Sequence, residues 1–261
     1  MFKSMRIFLL AVCVSLLCAS SVLAMPADNK APVVKTNAER IAEVTQKIAQ
    51  QPEEANLYSL RSYYYRDAKE MDKAVADISK AISLRPERDY YYSTRAGYYR
   101  SLGKTDLALA DYSKIIELRP TQSWPYLNRA GYYKQLKNYE AAIADYTQVI
   151  TLSPKMTGGY FNRAAVYQLQ HKYELALADY ATVLASNPKS TSAHLKRADI
   201  FYQQQKYKSA LLECDLAQEI SHGKSKDAYV LSGAVYLSQG NNDKAADALN
   251  KAILLYRDSI Y

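Results

Sequence analysis

The sequence predicts an all-α protein, a solenoid of antiparallel helix pairs stacked one on the next. Three observations carry this reading. First, Pro52, Pro86, Pro120, Pro154 and Pro188 stand 34 residues apart, and other columns keep the same interval. Tyr58, Tyr92, Tyr126 and Tyr160 form one. Tyr65, Tyr99, Tyr133 and Tyr167, continued by Phe201, form a second, and Ala74, Ala108, Ala142, Ala176 and Ala210 a third. Self-similarity at this period marks helix–turn–helix units, each unable to bury its apolar face without a neighbour. Second, apolar and aromatic residues recur at helical spacing inside each period: Tyr126, Ala130 and Tyr133, then Ala142, Tyr146, Val149 and Ile150. Third, the breaks suit paired helices. The short polar stretch QLKNY separates the two helices of one period. Pro154 ends the second, since proline cannot donate the next backbone hydrogen bond, and Pro125 stands near a helix start, where its missing N–H costs little.

The elements follow in chain order. Lys3 and Arg6 precede the apolar run at residues 7–24, which ends in Val22-Leu23-Ala24. This is the pattern of a secretory signal cleaved after Ala24, with an uncleaved membrane anchor as the alternative. Residues 25–36, with Pro26 and Pro32, read as a flexible leader. Residues 37–54 hold a capping helix that resembles a second helix without its first. Units are expected at 55–88, 89–122, 123–156, 157–190 and 191–224, with a degenerate sixth at 226–259 after a one-residue insertion in SHGKSK. That last unit leaves Leu249, Ile253, Leu254 and Leu255 without a following helix, an edge at which a second copy could dock.

Composition narrows the function. Of three cysteines two lie in the signal, so the exported chain keeps only Cys214 and is stabilised by packing rather than disulfides. Cys214 reads as a small buried apolar residue. The net charge of +8 falls to +6 without Lys3 and Arg6, and it is spread along the chain. Nucleic acid is not the expected partner. No membrane span is expected once the signal is removed.

Residues 123–156 carry the most specific pattern: Tyr126, Ala130, Tyr133, Ala142, Tyr146, Val149 and Pro154 stand at unit positions 4, 8, 11, 20, 24, 27 and 32. On these residues the chain resembles the tetratricopeptide repeat (TPR) family, and the resemblance covers nearly all of it outside the N-terminal segment. It implies a right-handed superhelix that holds a protein or peptide partner and performs no chemistry of its own.

Two charged columns share the period: Arg61, Arg95, Arg129, Arg163 and Arg197, and Glu43, Asp77, Asp111, Asp145, Asp179 and Glu213. They read as a structural ladder, each arginine paired with a carboxylate across a helix contact to fix the stacking of neighbouring units. The sixth unit has Ser232 and Ala248 in these places. Of 25 tyrosines, 19 fall in columns 4, 10, 11, 17 and 24, where interhelix packing is the default role.

The resemblance also assigns a concave groove to first-helix positions 2, 5, 6, 9, 12 and 13. In this chain the aromatics there include Tyr63, Tyr90, Trp124, Phe161 and Tyr202, and the polar residues Arg66, Arg100, Asn128, Lys134, Asn162 and Lys196. Arg66, Arg100 and Lys134 share position 12 and form a basic track beside aromatic anchors, a surface suited to an extended acidic or amphipathic peptide. An anionic glycan of the envelope is the alternative ligand. Asparagine is missing from position 9, so the variant of the family that clamps a C-terminal carboxylate is not matched.

Catalysis finds no support in the residues. His171, His194 and His222 have no metal-ligand or nucleophile–base spacing, and no glycine-rich phosphate loop occurs. Gly158-Gly159 opens a helix and reads as a flexible turn. No cofactor is expected. The reading is a non-catalytic scaffold, periplasmic or secreted, that binds a protein segment in its groove.

Overall fold

A computed structural model describes residues 35–257. The signal (1–24) and most of the leader lie outside the described residues. Among the described residues the chain forms thirteen helices and no strand. A single helix, α1 (Asn37–Gln50), precedes six pairs: α2 (Ala55–Asp67) with α3 (Met71–Leu84), α4 (Asp89–Ser101) with α5 (Thr105–Leu118), and α6 (Ser123–Gln135) with α7 (Tyr139–Leu152). Then come α8 (Thr157–Leu169) with α9 (Tyr173–Ser186), α10 (Thr191–Gln203) with α11 (Tyr207–Ile220), and α12 (Lys226–Ser238) with α13 (Asn242–Arg257). Each helix packs most heavily on its pair and next on the following unit. First helices α8, α10 and α12 also touch in succession, which puts the first helices on the inner side of the curve.

Helix α1 starts at a capping box, in which the Thr36 side chain accepts from the Glu39 N–H and the Glu39 carboxylate accepts from the Thr36 N–H. Every first helix ends in the same way. Five residues after the aromatic of column 11 the chain turns back, as in Glu70 N–H to Tyr65 C=O (2.8 Å), Asn138 to Tyr133 (2.9 Å) and Lys206 to Phe201 (2.8 Å). The residue before each donor has positive φ: Lys69, Gly103, Lys137, His171, Gln205 and Gly240. Only two of the six are glycine, and His171 is thereby a turn residue.

The core is a chain of small clusters rather than one mass. Alanines at position 20 (Ala74, Ala108, Ala142, Ala176, Ala210, Ala245) are fully buried and let each pair close tightly. Position 24 fills the space between pairs with Ile78, Tyr112, Tyr146, Tyr180 and Cys214. Burial pushes the Cys214 thiol up to about 11, so it stays protonated and inert.

The structure corrects one reading here. Gly158 and Gly159 are not a flexible turn. They open α8, as expected, but as ordered residues of its first turn, and a Cβ on Gly159 would stand 3.0 Å from both Ile150 Cγ1 and Val149 Cγ1. Here α8 approaches α7 so closely that a side chain in place of the glycine would make Val149 or Ile150 give way.

Candidate functional site

The charged columns resolve into a repeated clamp. Arg61, Arg95, Arg129 and Arg163 each grip both oxygens of the aspartate sixteen residues on, Asp77, Asp111, Asp145 and Asp179, at 2.6–2.9 Å. Such fork-to-fork pairs are strong because two charge-assisted hydrogen bonds share one geometry. The aspartate belongs to the second helix of the same unit, so this pair closes a unit rather than joining two. The join is made by a third guanidinium nitrogen. Nη1 donates to a hydroxyl on the preceding unit: Thr45 (3.0 Å), Ser79 (3.1 Å), Ser113 (2.9 Å) and Thr147 (3.0 Å). Tyrosines from columns 4 and 11 flank the guanidinium, as Tyr92 and Tyr99 do at 5.8 and 5.6 Å from Arg95. The hydroxyl column escaped the sequence reading, although Thr45, Ser79, Ser113 and Thr147 keep the 34-residue interval and could have revealed it. Glu43 is not part of the series. It pairs with Lys35 and meets no arginine.

The fifth clamp is incomplete. Arg197 reaches Glu213 through one contact of 3.0 Å, Ala181 stands where the hydroxyl would be, and Arg197 Nε is buried without a partner. The other Glu213 oxygen pairs with His194 Nδ1 at 2.7 Å. In the sixth unit Ser232 and Ala248 are buried in the two slots, so neither the arginine nor the carboxylate of the clamp is there.

The first-helix face treats its eleven sequence-assigned residues unequally. Tyr63 and Tyr90 are exposed. Trp124 is half-buried against the first core cluster, and its indole N–H donates to Gln122 Oε1. Phe161 is likewise half-buried, edge-on to Tyr180 at 5.4 Å, and Tyr202 bonds Ser238 at 3.1 Å. These three serve packing between units as much as a surface. The basic track is also partly committed. Arg66 covers the Tyr63 ring at 3.9 Å and pairs with Asp67. Arg100 donates to Tyr112 (3.1 Å) and to Gln135 of the next unit (2.8 Å). Lys134 and Lys196, by contrast, have no ionic or hydrogen-bonding partner among the described residues.

Two adjoining concavities open on this face. The larger, about 700 Å³, lies over α8 and α10 and includes Lys134, Gln168, Leu169, Lys196 and Asp199. The smaller, about 240 Å³, lies over α6 and includes Arg100, Asn128, Lys134, Asn162 and, at its floor, Tyr146. They share Lys134 and Gln135. So five of the eleven assigned residues, Arg100, Asn128, Lys134, Asn162 and Lys196, come together at one place. Gln135, Gln168, Asp199 and Tyr146 join them, unassigned from sequence because their columns vary in type or because, like Tyr146, they start from the second helix. No group of acidic, histidine or cysteine residues suited to a metal occurs among the described residues.

Stacked helix pairs with an open, polar inner face define the class of helical-repeat interaction scaffolds. Tetratricopeptide repeat profiles match residues 55–88, 90–122, 125–156, 161–225 and 226–259, and the chain belongs to this family. Among curated proteins none matches. Solved structures similar in fold include the C-terminal part of a TPR repeat-containing protein from Cytophaga hutchinsonii, at 19% identity and TM-score 0.70, covering 84% of this chain and 90% of that one. PilW, a type IV pilus biogenesis factor, aligns at 18% identity and TM-score 0.59, over 74% of this chain and 90% of its own. YrrB, described as a TPR protein with an unusual peptide-binding site, aligns at 18% identity and TM-score 0.52, over 68% and 91%. At these identities the likeness is one of fold. TPR repeats generally mediate protein–protein interaction. No helix among the described residues is long and apolar enough to cross a membrane.

Proposed function

We propose that this chain is a non-catalytic adaptor of the cell envelope that binds an extended segment of another protein along its first-helix face. The observation that carries the reading is the paired concavity over α6, α8 and α10, with Lys134 and Lys196 unpartnered at its rim. Cations without internal partners are free to fix the register of a bound chain, while Leu169, 53% exposed, offers apolar contact. The envelope assignment rests on the signal-like residues 1–24. PilW, one of the proteins of similar fold, is named for pilus biogenesis.

The test is affinity capture from an envelope extract with residues 25–261, compared with a variant carrying Lys134→Glu and Lys196→Glu. Lys196 is exposed, Lys134 is half-buried and neither has an internal partner, so helicity is expected to be unchanged. A protein retained by the first and lost by the second supports the reading. Equal retention removes the groove from it. N-terminal sequencing of the exported protein is expected to begin at Met25, and a chain retaining residues 1–24 in the membrane overturns the cleavage.

A further inference from the structure

Tyr146 is the clue. Its side chain is 1% exposed, which makes it one of the most deeply buried side chains described. Yet its hydroxyl has no hydrogen-bonding partner among the described residues, and, unlike that of Tyr180, it is not sealed from the surface, so it is a donor left open to a ligand. The phenols in the same column differ. Tyr112 accepts from Arg100 at 3.1 Å, and Tyr180 has its hydroxyl sealed away beneath the surface. The Tyr146 hydroxyl instead comes up under Gly131, 4.0 Å from where a Cβ would stand, and reaches the floor of the smaller concavity. A glycine at this point of α6 is what opens it to the groove. Burial pushes the Tyr146 phenol up to about 12, so it remains an O–H donor throughout the ordinary pH range.

The rest of the concavity is rich in donors. Lys134 carries an unpaired ammonium group, and the Asn128 carboxamide makes no hydrogen bond. Arg100 adds positive charge at the edge, although its own hydrogens are directed to Tyr112 and Gln135. No carboxylate lines this concavity. The neighbouring concavity differs, because Asp199 lies in it, held by Gln168 (2.5 Å) and Gln203 (3.0 Å). It would repel a second acid.

We infer that the concavity over Tyr146 is a subsite for one acidic side chain of a bound protein segment, with a neutral or apolar residue following it onto Leu169. The inference rests on the peptide-binding reading above and specifies which peptide. The carboxylate takes the Tyr146 O–H, which otherwise has no partner, and Lys134 supplies the countercharge. Asp199 makes the selection local, for one acid rather than a run of them.

The test uses capped octapeptide pools whose central residue is fixed as Glu, Gln, Lys or Ala and whose other positions are mixed. They are passed over immobilised residues 25–261 alongside an anionic oligosaccharide. Retention of the Glu pool is expected to exceed the Gln pool about tenfold, the usual gain for a charge-assisted hydrogen bond. Tyr146→Phe and Lys134→Gln each reduce that advantage several-fold and leave the Gln and Ala pools unchanged. Gly131→Leu abolishes it. A Cβ at 131 would meet only the Tyr146 hydroxyl, at 4.0 Å, and circular dichroism of the variant is expected to show an intact fold. Equal retention of Glu and Gln pools, or an unaffected Gly131→Leu, overturns the acidic subsite and leaves the peptide reading standing. Retention of the oligosaccharide alone, or of nothing, overturns both.

Discussion

The first four arginine clamps and the fifth occupy equivalent places and differ in completeness. Arg61, Arg95, Arg129 and Arg163 each hold an aspartate by two bonds and a hydroxyl of the preceding unit by a third. Arg197 has one contact with a glutamate it shares with His194. Three replacements account for the difference: Ala181 for the hydroxyl, Glu213 for aspartate, and His194 for the tyrosine of column 4. The comparison shows that the clamp is a set of residues on three helices. Members can be replaced without losing the fold, but with the second Glu213 oxygen taken by His194 the guanidinium keeps a buried Nε unpaired. Stability along a solenoid is a sum of unit and interface terms, so the chain is expected to be held less firmly at its fifth and sixth units.

The strongest test removes the arginine at each place. Arg129→Leu leaves Asp145, 6% exposed, without its countercharge, and a loss of about 3 kcal/mol is expected. Arg197→Leu is expected to cost visibly less, because His194 still pairs with Glu213. Denaturant midpoints for the two variants, read with amide exchange by unit, compare them directly. Equal losses would break the distinction.

Gly233→Ala probes the weaker end. Position 8 is alanine in units two to five, but a Cβ on Gly233 would stand 2.8 Å from Leu249 Cγ and Cδ2. Overpacking of about 1–2 kcal/mol is expected, with exchange accelerated in α12 and α13 and unchanged in α2 to α5. Acceleration throughout would show that the units do not open separately.

Ala181→Ser is the converse. It restores the missing hydroxyl sixteen residues before Arg197, and a gain of about 1 kcal/mol is expected as slower exchange in α10 and α11. No gain would mean that Glu213, one methylene longer than aspartate, has moved the guanidinium out of reach.

The smallest effect comes from Cys214. Its thiol is raised in the fold, so the unfolded chain gives up the proton first as pH rises. The stability tied to the buried neutral thiol is therefore intact below pH of about 9 and is lost as pH climbs towards about 11. Cys214→Ala is expected to flatten that stretch of the pH profile of the denaturation midpoint. At pH 8 the native thiol is expected to react with a disulfide reagent only as fast as α11 opens, which gives an independent reading of the fifth unit.

Much of the molecule was legible in advance because a repeat presents the same physical problem many times. The proline, alanine and aromatic columns at 34 residues determined the helix pairs, their number and their order, and the arginine and acidic columns marked a paired feature. Cys214 was readable as a buried residue from its place in column 24. The expected signal and most of the leader, residues 1–34, lie outside the described residues. What the sequence left undecided is what depends on which side chain reaches which. Asp145 could have paired across units or within one, and only the closeness of α6 and α7 decided it. Trp124 and Phe161 looked like groove anchors by position, yet both lean into the core. Tyr146 looked like core by position, yet its hydroxyl surfaces beneath Gly131. Columns are a one-dimensional record of burial averaged over units. Whether one atom of a buried ring meets the groove is set by the size of the residue above it, and that is decided in three dimensions.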